Sequence, residues 1–221
     1  MVLYKYSEDI TNSSLPLSNN LYSMLQRDIL MGKLKEGEKL TEQRLCDEYS
    51  VSRTPVREAL RQLEINGLVE NIPNRGSFVV GMSERDIRDI FDLRMVNEVQ
   101  AVRWAIQRIT EEEMTALEET FEFMEFYTMK NDIKKMTNIN KGFHQIISTA
   151  CHNRMLEHMI SSYQEYTRYV GEERKKSDDY LQILLEEHRK IFKAFTEKDE
   201  DAGAQAMKEH IENSKKRQCG L

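Results

Sequence analysis

Proline is scarce in this chain of 221 residues: Pro16, Pro55 and Pro73 are the three, and none follows. Glycine is thin as well, with nine. A long all-β second half is thereby excluded, because sandwiches and barrels need turn residues between successive strands. The three cysteines, Cys46, Cys151 and Cys219, are odd in number and form no C-x-x-C pair. They read as reduced thiols rather than a disulfide framework. No apolar run approaches the roughly 18 residues of a transmembrane helix. The opening residues, MVLYKYSEDITNSS, lack a basic stretch followed by an apolar one, so no secretory leader is expected. These absences point to a cytoplasmic protein with no membrane span.

Charge is what the chain has in quantity. Lys plus Arg is 32, Asp plus Glu is 38, and the formal net charge is −6. The acidic surplus lies after residue 80: residues 81–221 hold 22 basic and 27 acidic side chains, whereas residues 21–80 hold nine of each. Phosphate neutralisation dominates affinity for nucleic acid, so an acidic bulk does not favour it. Any nucleic-acid contact needs a local basic face, and the neutral N-terminal third is the place for one.

Periodicity organises the chain. Leu21, Leu25, Ile29 and Leu30 fit a 3.6-residue repeat, which predicts a helix from Ser18 to Met31 ended by Gly32. Thr41 caps a second short helix, and Ser52 caps a third that carries Pro55 in its first turn and stops at Gly67. Two β-branched runs around Pro73-Asn74-Arg75-Gly76 read as a hairpin. From Ser83 onward the pattern is helical, with Thr110-x-x-Glu113 as a capping box. Breaks fall near Asn131, Asn153, Ser177 and Lys198-Asp199. The expected fold is mainly α: a winged helix-turn-helix of three helices and a small β-hairpin wing, then an all-α antiparallel bundle of about six helices. The expected divisions are a flexible arm over 1–17, the winged domain over 18–81 and the helical domain over 82–221.

In the third helix, Arg53, Arg57 and Arg61 recur every four residues on one face, while Val56, Ala59, Leu60 and Leu63 lie on the other. Such a helix suits a DNA major groove, where arginine reaches phosphates or binds guanine in bidentate fashion. The alternative is a solvated face whose arginines pair with Glu58 or Glu64.

The stretch LKEGEKLTEQRLCDEYSVSRTPVREALRQLEINGLVENIPNRGSFV resembles the DNA-binding domain of GntR-family transcription regulators, most specifically in Val51–Leu60. The resemblance implies base contacts from Arg53 and Arg57, assisted by Ser52 and Thr54. It implies further DNA contacts from Gln43 and Arg44 and from the wing at Arg75 and Gly76. Gln43 stands where many relatives carry Arg. The implied partner is a palindromic double-stranded operator bound by a homodimer.

Helical spacing also sorts the five histidines. His188 falls on the apolar stripe of Tyr180, Leu184, Ile191 and Phe195. His210 shares a face with Met207 and Ile211, and His144 lines up with Asn140, Ile147 and Cys151. His158 groups with polar residues, and His152 lies at a helix boundary. Three inward imidazoles and an inward amide can hold a divalent metal; they can equally be buried neutral histidines bonded to their neighbours. No inward Glu or Asp stands out beside them.

The pieces FDLRMVNEVQAVRWA, NKGFHQIISTACHNRML, EEHRKIFKAF and DAGAQAMKEHI resemble the FCD-type ligand-binding domain of the FadR subfamily of GntR regulators. The resemblance implies Asn140, His144, His188 and His210 as metal ligands, with Asn140 where an Asp is common, and zinc or nickel as the ion. It implies a small organic acid as effector beside the metal, with Arg94 facing it. Arg94 has a competing reading as the i,i+4 partner of Glu98, and Tyr166 and Tyr169 are further pocket candidates. The expectation is a transcription regulator, a repressor by its most common mode and not an enzyme. Two alternatives are a regulator that senses the metal itself and a metal-dependent hydrolase. The hydrolase requires a general base poised near the metal.

Overall fold

A computed structural model describes residues 17–167 and 179–220. The proposed arm over 1–17, the helix break near Ser177 and Tyr169 lie outside the described residues, apart from the backbone of Leu17. The described part is nine helices and three short strands, in two compact units, Met1–Arg85 and Asp86–Leu221.

The first unit contains α1 (Leu17–Leu30), β1 (Lys39–Leu40), α2 (Glu42–Tyr49), α3 (Arg53–Ile65), β2 (Val69–Ile72) and β3 (Gly76–Val79). Thr41 caps α2 by accepting a bond from the Arg44 amide at 3.3 Å. Ser52 takes the N-cap position of α3 with no side-chain cap bond. Gly67 turns the chain at φ +71°, a conformation that costs a glycine nothing. The core is Leu21, Leu25 and Ile29 of α1 against Val56, Ala59 and Leu63 of α3, closed by Leu45, Leu68 and Val79. The expected hairpin is formed by β2 and β3, with Val69 paired to Val79, and β1 adds a third antiparallel strand in the order β1-β3-β2, Lys39 pairing with Phe78. Two residues, Lys39 and Leu40, are too few to show an alternating pattern, so β1 is legible only from its pairing.

The second unit contains α4 (Glu84–Arg108, its first two residues belonging to the preceding unit), α5 (Glu111–Met129), α6 (Ile133–Ala150), α7 (Arg154–Thr167), α8 (Tyr180–Glu197) and α9 (Glu200–Cys219). The capping box at α5 is formed: Thr110 accepts from the Glu113 amide, and the Glu113 carboxylate accepts from the Thr110 amide. Breaks occur where expected, with Asn131 at φ 53° and Lys198 at φ 56°. Cross-helix bonds show that neighbours run antiparallel. His152 at the end of α6 meets Glu113 at the start of α5, and Glu187 early in α8 meets Arg217 late in α9. Phe91, Val102, Leu117, Met124, Phe143, Ile191 and Met207 fill the centre. Gly203 lets α9 approach α4: a Cβ there would sit 2.6 Å from Ile106 Cδ1 and 2.9 Å from Val102 Cγ1.

Candidate functional site

In the first unit, Gln43, Arg44, Ser52, Arg53, Thr54, Arg57 and Arg75 are all exposed and Gly76 is partly so. Burial of Val56, Ala59, Leu60 and Leu63 against the core forces the arginine stripe of α3 outward. The start of α2 reaches two of these arginines. Arg57 Nε donates to Glu42 Oε1 at 2.8 Å, and Arg53 Nη2 donates to Gln43 Oε1 at 3.2 Å. Gln43 in turn donates to Asp47 at 2.9 Å. Arg61 bonds Glu58 on its own helix, so the surface-pair reading holds for it. Arg44 lies apart from the stripe's partners, bonded to Glu38 at 2.6 Å. Arg75 sits over the Phe78 ring at the wing turn.

In the second unit, α6, α8 and α9 bring His144, His188 and His210 together. All three are buried, and one ligand nitrogen from each lies within 4.8 Å of the others. His144 Nε2 and His210 Nε2 are 3.1 Å apart. Two of the rings are held from behind through Nδ1. His188 Nδ1 donates to the Leu184 carbonyl at 2.7 Å, and His210 Nδ1 donates to Glu187 Oε2 at 2.8 Å. His144 Nδ1 lies 3.0 Å from Glu98 Oε2, off the line of a well-formed hydrogen bond. One ring nitrogen of each histidine meets the others at one buried place, and a metal bound there would take the place of the proton between His144 Nε2 and His210 Nε2. His188 Nε2 and Asn140 Oδ1 are buried, and among the described residues neither has a hydrogen-bond partner. Orphaned buried acceptors are rare in folded proteins. Three imidazole nitrogens converging at one buried place fit a divalent transition metal.

Two buried carboxylates stand behind the histidines, contrary to the expectation that no inward acid is present. Glu98 accepts from Arg94 Nε at 2.7 Å, and Arg94 also donates to Thr167 Oγ1 at 3.1 Å. Glu187 is held by Arg217 at 2.6 and 2.8 Å and by Asn213 at 3.0 Å. The i,i+4 spacing of Arg94 and Glu98 signalled the first pair. Nothing in the local pattern signalled the second, because Glu187 and Arg217 are 30 residues apart. Burial opposes ionisation of Glu98, but the Arg94 charge and His144 outweigh it and hold the carboxyl well below its usual range. Burial likewise opposes ionisation of Glu187, and its bonds from Arg217 and His210 bring it down to about 2. Locked ion pairs of this kind orient histidines; a general base would need a carboxylate poised near neutral pH. At two of the histidines burial dominates, pushing His188 well below its usual value and His210 down to about 4.

His158 is exposed, as its polar face predicts. Tyr166 is half-buried, and burial raises its phenol pKa.

Residues 17–79 match the bacterial regulatory proteins of the gntR family, and residues 89–213 match the FCD domain. The chain belongs to the GntR family of regulators and carries an FCD domain. Over 198 residues this regulator is 29% identical to the HTH-type transcriptional regulator YdhC of Bacillus subtilis, covering 89% of this chain and 88% of that one. It is 28% identical over 204 residues to the HTH-type transcriptional repressor RspR of Escherichia coli, covering 91% and 88%. Its fold matches the solved structure of E. coli McbR/YncC with a TM-score of 0.70 at 23% identity, over 90% of this chain and 95% of that one. It is a DNA-binding transcription regulator, and its relatives are regulators rather than enzymes. Among its described residues no helix is long and apolar enough to cross a membrane.

Proposed function

We propose that this regulator is a cytoplasmic homodimeric repressor whose hold on a palindromic operator is set by a small organic acid bound at a metal centre. The observation that carries the sensing half is the convergence of His144, His188 and His210 in the buried core of the helical domain. In this reading residues 18–81 bind DNA through Gln43, Arg44, Ser52, Arg53, Thr54, Arg57, Arg75 and Gly76. Residues 82–221 dimerise and bind the effector. Asn140, His144, His188 and His210 hold zinc or nickel, whose chemistry there is that of a Lewis acid for carboxylate oxygens.

The chain's own residues do the rest. Glu187 and the Leu184 carbonyl hold the His210 and His188 rings by Nδ1, and Glu98 lies 3.0 Å from His144 Nδ1, where it can accept once that nitrogen is protonated. Arg94, buried beside the site, offers its guanidinium to the effector carboxylate while Glu98 and Thr167 keep it in place. The acid binds one arrangement of the helical domains better than another and so changes operator affinity, typically by about 1–3 kcal/mol. Repression follows the naming of RspR. A regulator sensing the metal alone is the weaker reading, because an amide oxygen binds such ions less strongly than a carboxylate.

The test is thermal unfolding of chelator-stripped protein with and without Zn²⁺ or Ni²⁺ across a panel of small carboxylates. A ligand that binds the native state raises the midpoint by mass action. A shift with an acid in the presence of metal supports the reading; no shift with any combination overturns its sensing half. Selection from a random-sequence duplex pool tests the DNA half, with recovery of a palindrome expected.

A further inference from the structure

Gln43 lies in the first turn of α2, exposed, with its amide caught between two charged side chains. Arg53 can only donate, and its Nη2 reaches Gln43 Oε1 at 3.2 Å. The Asp47 carboxylate can only accept, and its Oδ1 takes a bond from Gln43 Nε2 at 2.9 Å. Turning the amide round would set nitrogen against the guanidinium and oxygen against the carboxylate. The two neighbours therefore fix which end of the amide is which. An amide oxygen has two lone pairs and an amide nitrogen two hydrogens. Each internal bond uses one of them, which leaves Gln43 one acceptor and one donor to offer outside the protein.

The place of this amide is set by Arg53, the first residue of α3. A recognition helix meets base edges with its N-terminal residues. An amide oxygen 3.2 Å from the tip of an arginine placed there lies about one base-pair step, roughly 3.4 Å, from what that arginine reads. Adenine shows the major groove an acceptor at N7 and a donor at N6, whereas guanine shows acceptors at both N7 and O6. An amide with one donor and one acceptor complements adenine; against guanine its oxygen faces a second acceptor. Arg53, with donors alone, complements guanine.

We infer that Gln43 and Arg53 read two neighbouring base pairs of each operator half-site, Gln43 the adenine of an A·T pair and Arg53 the guanine of a G·C pair. Residue 43 thereby determines one position of the recognised sequence, and Asp47 is a positioning residue that keeps the amide from reversing. The inference rests on the DNA-binding half of the function proposed above and specifies what that face recognises.

Parallel selections from one random-sequence duplex pool test this, with the full-length wild type, Gln43→Arg and Gln43→Ala at one fixed salt concentration. Gln43 is exposed, so neither substitution disturbs the core, and circular dichroism confirms the fold of each variant. The wild-type motif is expected to carry an A·T pair beside a G·C pair in each half-site. Gln43→Arg is expected to replace that adenine by guanine on the same strand and to leave the other positions as they are. Gln43→Ala is expected to accept any base there. Anisotropy titrations of duplexes differing at that one pair should show a preference for adenine over guanine of about tenfold or more in wild type, reversed in Gln43→Arg. A wild-type palindrome recovered unchanged with both variants would overturn the inference and leave the DNA-binding reading standing. Recovery of no motif with wild type would overturn both.

Discussion

His144 Nε2 and His210 Nε2 lie 3.1 Å apart, and the Nδ1 atom of each faces a carboxylate, Glu98 in one case and Glu187 in the other. Because His210 Nδ1 donates to Glu187, His210 Nε2 is the acceptor and His144 Nε2 donates to it in the metal-free protein. A cation bound by both rings takes the place of that proton. His144→Gln keeps an amide donor near His210 Nε2 but removes an imidazole ligand. The metal-free variant is expected to unfold at about the same urea concentration as wild type, while the rise in thermal midpoint produced by nickel is lost. Paired urea and thermal unfolding curves check this.

Acid destabilises the metal-free protein through the same residues. His210 titrates at about 4 in the fold against an ordinary 6.5, and His188 is also pushed down by burial. Between those values the unfolded chain binds protons that the folded chain does not, so stability is fully present above about pH 6.5 and falls as pH drops toward 4. The groups facing them, Glu187, Arg217 and His144, stay within the same network. Glu187, brought to about 2, extends the loss below its ordinary 4.5. The unfolding free energy of chelated protein, from urea curves across this range, should decline by up to about 1.4 kcal/mol per pH unit for each of these two histidines. A flat profile would contradict the buried neutral state.

The Arg94–Glu98 pair is almost fully removed from solvent on both sides. Removing one partner strands the other charge, so Arg94→Met is expected to cost about 3–5 kcal/mol. The double variant Arg94→Met/Glu98→Gln strands nothing and should cost less than Arg94→Met alone. Denaturant unfolding of both variants measures the coupling directly.

Close helix approach sets a limit at Gly203. A side chain there meets Ile106 and Val102 at less than contact distance. Gly203→Val is expected to destabilise the helical unit by about 1–3 kcal/mol through overpacking. Circular dichroism melting is a sufficient readout.

On the DNA face the arginines are distinguished by their partners. Arg53 and Arg57 bond across to α2, whereas Arg61 is satisfied by Glu58 on its own helix. Arg53→Ala and Arg57→Ala are expected to weaken operator binding by about 1–3 kcal/mol each. Arg61→Ala should leave affinity nearly unchanged. Fluorescence anisotropy on a selected duplex, at one fixed salt concentration, separates the three.

Much of this molecule was local information. Thr41, Ser52 and the Thr110–Glu113 box mark helix starts because capping depends on a few adjacent residues. The arginine stripe of α3 and the inward placement of His144, His188 and His210 follow from the helical period, which assigns each side chain to a face. What that period cannot assign is which face of another helix it will meet. Strand β1 exists because β3 pairs with it. Glu42 reaches Arg57 across 15 residues, Glu187 reaches His210 across 23, and Arg108 reaches the Cys151 carbonyl across 43. Those meetings were decided by packing of the helices, since burial of the apolar stripes sets the angles and depths at which helices cross. The sequence by itself determined that three histidines point inward; the tertiary structure decided that their ring nitrogens meet at one place, and that the acids beside His144 and His210 are already matched by Arg94 and Arg217.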